Sequence, residues 1–251
     1  MIARALEQLR AALPSGVQLV AVSKFHPVER LMEAYEAGQR IFAESRPQEL
    51  AAKVPRLPED IQWHFIGHLQ TNKLKLVLPH VSLVQSVDSH HLLEAISQWA
   101  VTNDRVVDVL LELHLGAEQT KQGFTEEEIL EILTGADTLP EIAFASLQPL
   151  PPTSSAGPSL LRGRGRPRIS GSVSAPVPGV RIRGLMGMAT NTEDMAVVEK
   201  DFERIERLFN SIRRPGFDIL SIGMSQDWPV AVKHGATMVR IGPDIFGPRE
   251  Y

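Results

Sequence analysis

Residues 18–44 read QLVAVSKFHPVERLMEAYEAGQRIFAE, and the fold turns on how they are parsed. Gln18–Ser23 is a short, nearly continuous apolar run, the composition of a parallel strand covered on both faces. Pro27–Gly38 opens on proline and closes on glycine, the asymmetry of a helix start and stop. Arg40–Glu44 is a second apolar run. Strand, helix and strand in this order make a βαβ unit, whose two strands lie parallel.

The same alternation continues outward. Further apolar runs occupy Gln62–Gly67 (QWHFIG), Ser82–Val87 (SLVQSV), Val106–Leu115 (VVDVLLELHL), Val180–Met188 (VRIRGLMGM), Asp218–Gly223 (DILSIG) and Thr237–Gly242 (TMVRIG). Helical spacing marks Ile2, Leu6, Leu9 and Leu13 before Pro14-Ser15-Gly16 stops it, and marks Val198, Phe202, Ile205 and Phe209 later. A further helix is expected at about Thr125–Leu133. Eight strands alternating with helices predict an α/β protein of the (β/α)8, or TIM, barrel class. An open doubly wound sheet is the alternative, but no Gly-rich dinucleotide fingerprint follows the first strand.

Composition sets outer limits. Cysteine is absent from the 251 residues, which excludes disulfides, thiolate metal sites and a cysteine nucleophile and fits a reducing cytoplasm. The start, MIARALEQLRAAL, lacks the compact apolar core of a signal peptide, and no apolar run reaches the ~18 residues of a membrane span. Net charge is −4, which argues against a generally basic nucleic-acid binder. Ile142–Val177 carries four arginines and no acid, so the rest of the chain is at −8. Residues 141–177 are expected to be a low-complexity, disordered insertion in a single-domain barrel spanning 1–251. Glu141–Leu147 is a candidate short strand at its start. Arg162–Arg168 (RGRGRPR) is a single AT-hook-like match, too weak to predict a nucleic-acid partner.

In such barrels chemistry sits where strands end. Lys24 ends the first strand, and a lysine there is either a snorkelling rim residue or an amine activated by partial burial, able to form a Schiff base with an aldehyde. Barrel phosphate sites are often built from the loops after strands seven and eight. The seventh strand ends in Gly223-Met224-Ser225, with a helix expected from Gln226, and the eighth in Arg240-Ile241-Gly242-Pro243. Small residues, amides at a helix start and a serine hydroxyl suit an anion. Together with Lys24 they describe a phosphate plus an aldehyde, the two ends of pyridoxal phosphate.

The segments VAVSKFHP, IFAESRPQEL, WHFIGHLQTNK, VQSVDS, GLMGMAT, LSIGMSQDW and MVRIGPDIFGPREY cover nearly all of the chain outside the insertion. In these the sequence resembles the pyridoxal-phosphate homeostasis protein family, itself similar to the amino-terminal barrel of alanine racemases. The resemblance implies a pyridoxal 5'-phosphate (PLP) barrel of fold type III, with Lys24 holding the cofactor as a Schiff base. It implies that Ser225, with amides near Met224 and Gly242, holds the phosphate, and that Arg240 faces the pyridine nitrogen. Arginine only donates, so that nitrogen is left unprotonated and is a weak electron sink. The expected function is intracellular PLP homeostasis by a non-catalytic cytoplasmic carrier, with PLP-dependent apoenzymes as partners. The alternative is a PLP-dependent amino-acid racemase or decarboxylase of low activity. The second, β-rich domain of the racemases is not expected after the eighth strand, which argues for a monomer and against racemisation.

The family's Gly-Glu-Asn after the second strand is Ala43-Glu44-Ser45 here. Ser45 is expected near the cofactor in place of Asn, and Glu44 is a candidate structural hydrogen-bonding group. His64 and His68 lie four apart, but one is inside a strand and the other beyond the glycine ending it, so a structural or rim role is expected and not a metal. Gln70, Asn72 and Lys73 are expected to cap or line the mouth, and His90-His91 to start a helix facing solvent.

Overall fold

A computed structural model describes residues 1–116, 122–136 and 177–247. The chain divides into two units, Met1–Ile129 with Val177–Tyr251, which holds the barrel, and Leu130–Pro176. Of the second unit only Leu130–Ala136 falls within the described residues. The insertion expected at 141–177, its candidate strand and the Arg162–Arg168 motif lie outside them, save Val177.

Helix α1 (Ile2–Ala12) precedes the barrel and buries Ile2, Leu6 and Leu9; it stops as Leu13 turns extended before Pro14. Then follow β1 (Gln18–Val22), α2 (Val28–Glu36), β2 (Ile41–Glu44), α3 (Pro47–Lys53), β3 (Gln62–Phe65), α4 (Leu74–Val77), β4 (Val81–Val87) and α5 (His90–Thr102). The second half comprises β5 (Val107–Leu113), α6 (Glu126–Ala136), β6 (Val180–Gly187), α7 (Met195–Ile212), β7 (Ile219–Met224), α8 (Trp228–Lys233), β8 (Met238–Ile241) and α9 (Pro243–Phe246). The eight strands close in sequence order. Closure pairs β1 with β8 in parallel, Val20 opposite Arg240 and Ala21 opposite Ile241. All eight expected strands are present, within a residue or two at their ends.

Side chains alternate across each strand. Val20, Val22, Ala43, Leu83, Leu110, Met186 and Met238 fill the barrel interior. The opposite faces of the strands pack under the helices, where Phe42, Leu31, Leu50 and Phe202 are fully buried. Beyond the interior layer, at the carboxyl ends of the strands, the inward positions turn polar: Lys24 follows Val22 by two residues, Glu112 follows Leu110 and Arg240 follows Met238.

Two local readings change. The helix expected from Gln226 begins at Trp228. Asp227 donates its N–H to the Met224 carbonyl (3.1 Å) and accepts the Met224 N–H on its carboxylate (2.5 Å), closing a turn that delays the helix. His90-His91 does start α5, capped by the Ser89 hydroxyl accepting from the Leu92 N–H (3.3 Å). Only His91 is exposed, however; His90 sets its ring edge-on against buried Phe124, centroids 5.2 Å apart.

Candidate functional site

β1 delivers Lys24 to the carboxyl-end mouth, and Phe25 after it takes φ +69°, a left-handed conformation uncommon for a bulky residue. The Phe25 N–H donates to Glu49 Oε2 (2.9 Å), and the Arg46 guanidinium lies 4.3 Å from the Phe25 ring centroid. Lys24 lines a cavity of about 430 Å³ together with Val22, Met186, Met224, Ser225, Arg240 and Gly242, and the β6–α7 loop forms its far wall. Five of the six expected site residues, Lys24, Met224, Ser225, Arg240 and Gly242, therefore meet in one cavity. The sixth, Ser45, stays half-buried at the end of β2, outside the lining. A Cβ on Gly67 would run into the Ser45 backbone, so this glycine lets the ends of β2 and β3 pack main chain against main chain.

Each residue brings a distinct chemistry. Among the described residues the Ser225 hydroxyl is buried and has no hydrogen-bond partner. An unpaired buried hydroxyl is unfavourable in a protein interior, and Ser225 is one of the residues lining the cavity. A Cβ on Gly242 would stand 3.2 Å from the Val22 carbonyl oxygen, which explains glycine at this wall. Met224 contributes its side chain, but its N–H is already committed to Asp227, so that amide is not available to an anion.

Arg240 is buried and donates from Nη1 to the Ser221 carbonyl and hydroxyl (both 2.7 Å) and from Nη2 to the Gly187 carbonyl (2.9 Å). Burial lowers it to about 10, so it stays protonated at neutral pH. The Ser221 hydroxyl donates in turn to Gln85 Oε1 (2.7 Å), and Gln85 Nε2 donates to His64 Nδ1 (2.9 Å). A hydrogen-bonded chain thus crosses the barrel interior from β8 to β3. It requires His64 to accept at Nδ1, as only a neutral imidazole can, and burial indeed lowers His64 to about 4. The structural role expected for His64 is borne out. His68 is a rim residue, its Nδ1 2.9 Å from Asp88 Oδ2.

Sequence reasoning missed Lys53, Gln85, Ser221 and Glu112. Lys53, on α3, is buried against Glu44 (Nζ–Oε1 2.7 Å) and Glu49 (Nζ–Oε2 3.2 Å). Glu44, named as a hydrogen-bonding group, is fully buried, and burial lifts its carboxyl to about 7 against the pull of Lys53. Glu112, on β5 beside Met186 in register, is 8% exposed. Burial, then the Asp88 charge, lifts it to about 7, with Arg240 and His68 opposing. The only signal for Lys53 was its i,i+4 spacing from Glu49.

Among the described residues no group of three or more His, Asp or Glu is placed to hold a metal, and no helix is long and apolar enough to cross a membrane.

The alanine racemase N-terminal domain family model matches residues 1–156. The pyridoxal phosphate homeostasis protein of Vibrio alginolyticus is 32% identical, the match covering 98% of this chain and 92% of that protein. The chain belongs to the pyridoxal phosphate homeostasis protein family. The member from Aquifex aeolicus is 31% identical over 100% of this chain and 97% of its own. The solved structure of PipY from Synechococcus elongatus with PLP bound is similar with a TM-score of 0.73 at 31% identity, covering 98% of this chain and all of that one. Alanine racemase from E. faecalis, at 15% identity and TM-score 0.67 over 57% of its length, shares the fold. The family resemblance and the barrel architecture read from the sequence are both borne out. Relatives in this family are named for keeping a cofactor in balance and not for a reaction.

Proposed function

We propose that this chain binds pyridoxal 5'-phosphate as a Schiff base on Lys24 and acts in intracellular homeostasis of that cofactor. The observation that carries the reading is the set of groups sharing one cavity: a primary amine, an unpartnered buried hydroxyl and a buried guanidinium. These fit, in order, the aldehyde, the phosphate and the ring of the cofactor, which when bound supplies a masked aldehyde and a ring able to take up electrons.

The chain's own residues then act as follows. Lys24 is the attachment point. The Ser225 hydroxyl donates to a phosphate oxygen, and Gly242 leaves room for the phosphate against Val22. Arg240, charged at neutral pH, donates to the ring nitrogen and leaves no proton on it. An unprotonated ring nitrogen is a poorer electron sink for a carbanion than a protonated one, so this arrangement would retain the cofactor while activating amino acids weakly. That favours a carrier over a racemase or decarboxylase. With it go a cytoplasmic location, in keeping with a chain without cysteine, and PLP-dependent apoenzymes as partners.

Purified protein incubated with PLP should develop the absorbance of a protein-bound imine, and Lys24→Ala should abolish it. Wild-type protein that stays colourless overturns the reading. Sustained amino-acid turnover that is lost in Lys24→Ala overturns the carrier role alone.

A further inference from the structure

The turn that presents Lys24 is held from both sides by one buried ammonium. Lys53 Nζ donates to the Ser23 carbonyl (3.0 Å), to Glu44 Oε1 (2.7 Å) and to Glu49 Oε2 (3.2 Å). Ser23 immediately precedes Lys24, and its hydroxyl donates to the same Glu44 oxygen (2.7 Å). Glu49 Oε2 also accepts the N–H of Phe25, which immediately follows Lys24 (2.9 Å). The Lys53 side chain is 8% exposed. An ammonium has three protons, and three oxygens meet it; without them its burial would be strongly unfavourable.

We propose that Lys53 is a positioning residue for Lys24: it closes a ring, through Glu49 and the Ser23 carbonyl, that fixes the backbone on either side of the attachment lysine. The proposal rests on the reading of Lys24 as the attachment point. Phe25 explains why a clamp is needed. Its left-handed φ of +69° is intrinsically unfavourable for a side chain of this size and persists only where the surroundings enforce it. The Glu49 acceptor and the Arg46 guanidinium over the ring supply that enforcement. Releasing the turn would let Phe25 relax toward negative φ and swing the Lys24 Cα–Cβ bond away from the cavity. An ion pair that merely stabilised the fold would have no reason to direct its acceptors at both neighbours of Lys24.

The test compares Glu49→Ala, Lys53→Arg and Lys53→Met with wild type in three measurements: thermal unfolding of the PLP-free protein, the rate of PLP release after loading, and the visible circular dichroism of the bound chromophore. Glu49 is partly exposed, so Glu49→Ala should unfold within a few degrees of wild type yet release PLP about tenfold faster, with an altered dichroic band. Displacements of about 1 Å in a positioned group cost factors of this size or more. Lys53→Arg, whose planar head cannot bring three donors to one point, should fall between wild type and Lys53→Met. If Lys53→Met does not fold, the other two variants decide. Wild-type release and dichroism in Glu49→Ala and Lys53→Arg overturn the proposal, as does a Lys53→Met protein that only unfolds earlier. A wild-type protein that never colours overturns the Lys24 reading instead.

Discussion

Glu112→Gln offers a clean perturbation of the site's electrostatics. Among the described residues the Glu112 side chain makes no hydrogen bond or ion pair, its backbone carbonyl accepting the Phe124 N–H, so the amide removes a charge without breaking a hydrogen bond. Burial raises the carboxyl from 4.5 to about 7, so between those pH values the folded chain holds a proton that the unfolded chain has lost. Stability supplied by this group is fully present below pH 4.5 and is lost as pH rises through 7. At about 1.4 kcal/mol for each tenfold change in proton affinity, the loss is roughly 3 kcal/mol by pH 8. The variant escapes it. Urea unfolding of PLP-free protein at pH 4.5 and pH 8 should show Glu112→Gln gaining roughly 3 kcal/mol relative to wild type between the two conditions, with most of the gain between pH 4.5 and pH 7. For a chain of this size the corresponding gain in melting temperature at pH 8 is about 6–12 °C. Fixed costs of burying the amide, and the titrations of Glu44 and His64, occur at both pH values or in both proteins and cancel in the comparison. A stability difference that is the same at pH 4.5 and pH 8 refutes the reasoning, because it would mean that Glu112 titrates normally and faces solvent.

Other outcomes follow from the same geometry. Ser225→Ala should leave urea stability nearly unchanged, since the hydroxyl has no partner to lose, while weakening PLP binding about 10–100-fold by titration, the worth of a hydrogen bond to a charged group; unaltered affinity would remove Ser225 from the site. Gln85→Leu keeps the volume but strands the Ser221 hydroxyl proton and His64 Nδ1, and should cost about 2–5 kcal/mol in urea unfolding; a neutral result would show that the interior chain is not formed. Gly223→Ala places a Cβ 2.7 Å from the Ala231 Cβ at φ +93°, which should cost about 2–4 kcal/mol by the same assay; wild-type stability would mean that the β7–α8 turn yields freely.

The barrel was legible because its signals are local. Apolar runs such as Gln18–Val22 and Ile219–Gly223 declare buried strands by composition alone, and Pro27 marks the edge of α2. The site was legible where residues end strands in recognisable segments, as Lys24, Ser225 and Arg240 do. Gln85 and Glu112 were not, because each sits inside an apolar run whose sequence does not say which polar group faces the interior. Ser45 lies outside the cavity lining. Its segment matches a family motif, and motif alone does not say where the side chain sits; its backbone packs closely on Gly67.

By itself, then, the sequence determined the order of strands and helices, the family, and the lysine on which the chemistry is expected to centre, since periodicity and motif are properties of neighbours along the chain. The tertiary structure alone decided which polar groups have partners. Ser221 finds Gln85 across 136 residues, Lys53 finds both sides of Lys24, and Ser225 finds nothing. Hydrogen bonds and burial are settled only when the barrel closes, because only closure excludes water from these groups and fixes what remains within reach.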